Sequence, residues 1–395
     1  MDLRYSAAEE AFRADLRTWL AATVPDVGPP PPSNDLVARR AYDTAWQAML
    51  FDAGYAGIDW PREYGGRGAS PVETLIFHEE CARAGAPYVG VNFVGCLHAG
   101  PTLIAEGTEA QQARYLPRIL RGEELWCQGF SEPQAGSDLA SLRTRAERDG
   151  DTYVVNGSKI WTSFGEISDQ MELLVRTDAD APKHKGITWL VCTMDTPGIE
   201  VRPLVAANGS VEFDEVFFDD VRVPVENRVG AENGGWRVAM VTFSFERGSA
   251  FVSEMIEVAR ETAALAELAR KVTRRSGTAW DDAALRRDIG RLAAELDALW
   301  ALVKRNVSEA ARTNEPPGVG GSVLKLAFTE LNQRLGELTM SVLGRAGAAA
   351  TDLDGLPLAE LTERSVRSLA LTIAAGTSQI QRNIVAERIL GMPRG

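Results

Sequence analysis

The chain has 395 residues, of which 45% are hydrophobic, 7% aromatic and 25% charged; this composition excludes a disordered, collagen-like or disulfide-stapled chain and leaves room for two or three domains. Its 42 Lys and Arg against 55 Asp and Glu give a formal charge of −13, so no nucleic-acid partner is expected and any anionic ligand must be met by a local cluster of donors. The start is charged without a signal core, and no run reaches the roughly 18 apolar residues of a membrane span, so a cytoplasmic protein with no membrane attachment is expected.

The first regime, residues 1–125, reads as an N-terminal helical domain. Ser6 and Glu9 have capping-box spacing, and Phe12, Leu16, Trp19 and Leu20 make a helical stripe that should stop at Pro25, before the stiff loop VGPPPPSN. Further helices are expected near 35–53, 71–84, 98–106 and 108–120. The second regime, 126–230, changes to a strand period. Asp149-Gly150 and Asn156-Gly157 read as tight turns of a meander, followed by strands in MELLVRT, GITWLVCTM, IEVRPL, VEFDEVFF and VRVP. Short antiparallel strands in that number predict a central β-barrel domain. From 231 to 395 the pattern is helical again. Leu285, Ile289, Leu292, Leu296, Leu299 and Val303 share one face, as do Leu331, Leu335, Leu338 and Val342, which predicts a C-terminal four-helix bundle. The fold class is therefore α+β.

Absences narrow the chemistry. There is no G-x-G-x-x-G, P-loop, H-E-x-x-H or G-x-S-x-G, and the three histidines and four cysteines are scattered. Nicotinamide, hydrolytic-triad and zinc chemistry all start poorly supported, and no metal site is expected. Three separated segments carry the positive signal: WCQGFSEPQAGSDLASL, then KIWTS, then AAGTSQIQRNIVAERILG. In this order, over essentially the whole chain, they resemble the acyl-CoA dehydrogenase family of flavoproteins, and the domain order does the same.

The resemblance implies FAD, an acyl-CoA (or acyl-carrier) thioester substrate, an electron acceptor such as an electron-transfer flavoprotein, and a homotetramer or other dimer-built oligomer. It implies that Gln128, Gly129, Phe130, Ser131 and Gly136 face the flavin, with Trp161, Thr162 and Ser163 as the other wall and Thr377 and Gln379 at a cofactor-facing helix start. Ser378 and Gln381 have capping-box spacing for that helix. Ser137, Phe243, Arg247, Ala375 and Gly376 fall on the substrate side. Arg275, near the place of the family's R-x-x-F-G arginine, is a weak match, and Ser341 and Arg345 depart from a glycine-rich turn that meets the adenine end.

Many relatives carry the α-proton base immediately before GTSQIQ; here that residue is Ala375. The isovaleryl and long-chain branches place it on an earlier helix, and MVTFSFERGSA puts Glu246 there. An apolar setting from Phe243 and Phe245 would raise its pKa, whereas Arg247 would lower it. The implied reaction removes the α-proton to Glu246 as a hydride leaves the β-carbon for flavin. The thioester carbonyl is held by a ribityl hydroxyl and the backbone N–H of residue 375. Two alternatives remain open: a flavin monooxygenase on the same scaffold, favoured by Ala375, and a non-catalytic partner subunit of a hetero-oligomeric dehydrogenase.

Overall fold

The computed structural model describes residues 5–246, 252–313, 320–348 and 357–393; the side chains of Glu246 and Thr313 lie outside this description. Five helices come first: α1 (Ala7–Val27), α2 (Leu36–Asp52), α3 (Pro71–Ala84), α4 (Gly100–Glu106) and α5 (Glu109–Leu120). Ser6 and Glu9 form the expected reciprocal cap. The helix does not stop at Pro25 but runs to Val27. Pro25 lies in the last turn, and the Ala21 carbonyl it leaves without a helical donor belongs to an exposed residue. Val94–Ala99, a π-helical stretch, leads directly into α4.

The central strands are β1 (Trp126–Gly129), β2 (Arg145–Asp149), β3 (Thr152–Ser163), β4 (Gln170–Arg176), β5 (Ile187–Thr193), β6 (Ile199–Leu204), β7 (Phe213–Pro224) and β8 (Arg228–Val229). Their order is β6-β7-β3-β2-β4-β5-β8, with β1 parallel on β4. The expected barrel is not formed: the path has two ends, and β6 and β8 do not pair. β8 has only two residues, too short an edge to carry a closing ladder. β2 and β4 meet at a single position, Arg145 opposite Arg176, which makes this a loose seam in an open sheet.

Asp149-Gly150 is the expected turn between β2 and β3. Asn156-Gly157 is not a turn, because β3 runs straight through it. Gly157 has φ +146° at a register shift, and a Cβ there would stand 2.7 Å from the Thr144 backbone. Glycine is required at that bulge for close approach, not for a reversal.

The C-terminal part contains α6 (Gly235–Glu246), α7 (Val252–Lys271), α8 (Ala283–Thr313), α9 (Gly320–Leu343), α10 (Leu358–Leu371) and α11 (Ser378–Ile384). The stripe from Ile289 to Val303 on α8 and that of Leu331, Leu335 and Val342 on α9 are buried in one core with Val258 and Leu265 of α7. Helix α6 belongs to a different core, packing with Trp189 of β5 and Leu103 of α4. Among the described residues no helix is long and apolar enough to cross a membrane, and all four cysteines are free.

Candidate active site

The loop that leaves β1 is organised by one buried ion pair. Lys159 and Glu132 have side chains 0% and 2% exposed, and the Lys159 ammonium donates to Glu132 Oε1 at 2.8 Å and to the Phe130 carbonyl at 3.0 Å. Glu132 also accepts from the backbone N–H of Arg143 and Thr144 and from the Gln134 amide. Burial raises the Glu132 carboxyl, but Lys159 and the Thr144 bonds outweigh it and hold it below the usual range. Burial brings Lys159 down to about 8 against the pull of Glu132, so both partners are charged at neutral pH. Residues 130–135 are thereby fixed from beneath while Gly136 and Ser137 stay exposed.

Gly129 is buried under this loop, and a Cβ there would meet Met171 Sδ at 2.4 Å. Gln128, on the same strand, turns its amide inward: it donates to Glu172 Oε1 at 2.7 Å and lies 3.4 Å from His98 Nδ1. The π-helical stretch supplies the histidine and β4 the carboxylate, so β1 is clamped from both sides. The Phe130 ring packs edge-on against Phe243 of α6, centroids 5.9 Å apart. A buried Thr102–Thr242 hydroxyl pair at 2.9 Å fixes the same helix to α4. The last turn of α6, which ends at Glu246, is thus seated against the 129–136 loop.

The second wall is the end of β3. A register shift between Lys159 and Thr162 places Trp161 at φ +63° with its indole 58% exposed. A bulge of this kind redirects a side chain at some cost in backbone strain. Ile160 N–H donates to the Ser131 carbonyl at 3.0 Å, so the two walls are adjoining, and Phe213 supports Trp161 edge-on at 5.8 Å. Ser163 is half-buried. Thr162 points inward, fully buried, with no hydrogen-bond partner for its hydroxyl.

The third segment follows α10. Ala375 at φ +53° and Gly376 at φ +86° reverse the chain. The turn is held by the buried Lys325 ammonium on the Gly376 carbonyl (2.7 Å) and by the Gln381 amide on the Ala375 carbonyl (2.8 Å). Thr377, not Ser378, is the N-cap of α11: its hydroxyl accepts from Ile380 N–H at 3.2 Å. The cap therefore falls one residue earlier than the Ser378–Gln381 spacing predicts, because Gln381 is spent on the turn. Gln379 is exposed. Arg367 of α10 pairs with Glu212 at 3.0 Å, and the Glu212 carbonyl accepts from Phe164 N–H, so α10 is docked beside the Trp161–Ser163 wall.

Arg275 is exposed and stands apart. Its neighbour Arg274 donates to the carbonyls of Ser341 and Val342 at the far end of α9 from Lys325. Sixteen residues of helix separate those contacts, about 24 Å at 1.5 Å per residue. Arg247 and the Glu246 side chain lie outside the described residues.

Models of the acyl-CoA dehydrogenase N-terminal, middle and C-terminal domains match residues 6–123, 127–221 and 233–390. The chain is 42% identical to the acyl-CoA dehydrogenase IpdE1 of Mycobacterium tuberculosis (strain ATCC 25618 / H37Rv), over 98% of both chains. It belongs to the acyl-CoA dehydrogenase family. Two solved structures align over all of both chains with TM-scores of 0.82: the Tcur3481-Tcur3483 steroid ACAD at 32% identity, and the ChsE4-ChsE5 complex from Mycobacterium tuberculosis at 33%. The chain is accordingly an oxidoreductase, a flavoprotein dehydrogenase that depends on FAD.

The residues present fit a flavin. Trp161 offers an exposed aromatic face held in place by a strained bulge, as a planar ring needs for stacking. Nothing lies within 4 Å of where a Gly136 Cβ would stand, so backbone there is open to a ligand.

Sequence reasoning missed the Lys159–Glu132 pair and the His98–Gln128–Glu172 cluster. The signal was a charged residue inside an apolar strand run, Lys159 in SKIWTS and Glu172 in MELLVRT, since such residues are buried only when paired.

Proposed function

We propose that the chain oxidises the α,β bond of an acyl-CoA thioester, with Glu246 taking the α-proton. When bound, FAD supplies the acceptor for the β-hydride; the enoyl thioester is the product. The observation that carries the reading is the seating of α6 on the cofactor loop through Phe130 and Phe243, because it brings the last turn, and with it position 246, to the 129–136 segment. Ala375 has no proton-accepting group, and its backbone N–H is assigned to the thioester carbonyl; two successive left-handed residues set that backbone apart from a helix. Trp161, Ser163, Ser131 and Gly136 would hold the ring, with Thr377 and Gln379 contributing from α11 and Gln128 acting through its backbone. Ser137, Phe243, Gly376 and Arg247 would border the substrate.

Arg275 would serve FAD of a second subunit, since about 24 Å of α9 separates its neighbour's contacts from Gly376. Exposed Leu369 of α10, with Ile373 just beyond it and Leu390 and Met392 after the last helical turn, fits a dimer-built oligomer. Two similar structures carry the names of protein pairs, Tcur3481-Tcur3483 and ChsE4-ChsE5, which favours a second reading in which the partner is a different chain. An electron-transfer flavoprotein is the expected acceptor. The test is anaerobic addition of acyl-CoA esters to the purified holoprotein. Bleaching of the oxidised flavin band by thioester alone supports the dehydrogenase, whereas a requirement for an external reductase supports the monooxygenase.

A further inference from the structure

The turn between α10 and α11 carries the backbone N–H assigned to the thioester carbonyl, yet its own residues do not favour its shape. Ala375 sits at φ +53°, where a Cβ crowds the following carbonyl, so an alanine left to itself would abandon that conformation. What keeps it there is a set of ties on either side. On the near side, Ala374 N–H donates to the Ala370 carbonyl at 2.9 Å, and Ser378 N–H reaches back to the Thr372 carbonyl at 2.9 Å. On the far side, the Ala375 carbonyl accepts from the Gln381 amide at 2.8 Å and the Gly376 carbonyl from the Lys325 ammonium at 2.7 Å. Gln381 also lies 3.4 Å from that second oxygen, so Lys325 makes the shorter bond to it. Between these ties the Ala375 N–H meets no acceptor among the described residues, which leaves it open to a ligand oxygen.

Lys325 differs in kind from the other ties. It leaves α9, a helix that packs on the bundle core through Leu324, Phe328 and Leu331, and it is 0% exposed. Taking an ammonium out of water is costly, and a methionine of similar length would fill the space without that penalty. What the lysine adds is a charged donor, roughly twice as strong as a neutral one, bound to the carbonyl that directly follows the left-handed alanine. A second tie between α9 and α11, Glu330 with Arg382, is exposed and lies beyond the turn.

We infer that Lys325 is a positioning residue for the thioester-carbonyl donor. It acts through the Gly376 carbonyl to hold Ala375 left-handed, and so keeps the Ala375 N–H aimed at the oxygen that gains negative charge as the α-proton leaves for Glu246. The inference rests on the dehydrogenase reading and deepens it by a residue that works through the backbone alone. Removing a donor of this kind outright costs about 10²–10³-fold in rate, and misaiming it forfeits part of that.

In the test, octanoyl-, isovaleryl- and 3-cyclohexylpropanoyl-CoA are added anaerobically to the wild-type holoenzyme. The ester that bleaches the flavin fastest is carried forward with its 2-enoyl form, labelled with ¹³C at the thioester carbon. If none bleaches, the dehydrogenase reading fails and takes the role of Lys325 with it. Lys325→Met should lower the limiting rate of bleaching about tenfold or more, with the half-saturating ester concentration and the Kd for FAD unchanged within about threefold. The infrared stretch of the labelled carbonyl, lowered on binding to the wild type, should move back toward its solution value in the variant. Glu330→Gln, which loosens α11 from α9 but spares the Gly376 carbonyl, should leave the stretch where it is. A stretch unmoved in Lys325→Met, or moved as far in Glu330→Gln, would overturn the inference, as would a loss confined to FAD affinity. Should Lys325→Met not fold with FAD, Lys325→Gln, an atom shorter and uncharged but still polar, is judged by the same stretch.

Discussion

Replacing Lys159 by methionine removes the ammonium that Glu132 faces at 2.8 Å and leaves a carboxylate, 2% exposed, without its counter-charge. Breaking a buried pair from one side costs about 3–5 kcal/mol. Glu132 would keep its bonds from Arg143 N–H, Thr144 N–H and Gln134, which places the cost at the lower end, about 3 kcal/mol or roughly 150-fold in the folding equilibrium. The Phe130 carbonyl loses its donor at the same time, so the 130–135 loop should loosen and FAD retention should fall. Urea denaturation followed by tryptophan fluorescence measures the first effect, and flavin released on gel filtration the second. The double variant Lys159→Met/Glu132→Gln removes the stranded charge and should recover at least half of the loss. A single variant within 1 kcal/mol of wild type, or a double variant no better than the single, would refute the assignment of Lys159–Glu132 as the strut of the loop.

Gly129→Ala should destabilise by about 1–3 kcal/mol through overpacking against Met171 and Leu173, read as a lower urea midpoint with an unchanged slope. Trp161→Gly, by contrast, should leave stability nearly unchanged, because the indole is exposed and glycine relieves the positive φ; weakened FAD binding by fluorescence titration is its expected signature. Glu254 has a folded pKa raised from 4.5 to about 7 by burial, so its neutral form stabilises the fold fully below pH 4.5 and that contribution is lost as pH rises through about 7. Melting temperatures of wild type and Glu254→Gln should therefore move in the variant's favour between pH 5 and pH 8, and a constant gap would contradict the burial.

Domain order and the helical stripes were legible because burial imposes a period on sequence: Ile289 to Val303 and Leu331 to Val342 do lie in one core. Sheet closure was not legible, since it depends on which edges meet, and alternation along a strand says nothing about its two ends. Asn156-Gly157 misled for a similar reason. A glycine with positive φ serves a turn or a bulge, and only the approach of Thr144 decides which. The candidate site was visible as motifs, while its supports were not. Lys159 finds Glu132 from 27 positions away, with β2 and half of β3 between them, and Gln128 finds His98 and Glu172 from different elements. Such partners are set by tertiary packing, which a linear pattern does not encode.

Proton abstraction by the carboxylate at position 246 is tested most directly by Glu246→Gln. The variant and the wild type, each loaded with FAD, are titrated anaerobically with an acyl-CoA ester while the flavin spectrum is followed. The wild type should bleach and the variant should not, with FAD and thioester still bound to both. Equal bleaching of the two proteins would contradict it and move the base to another residue.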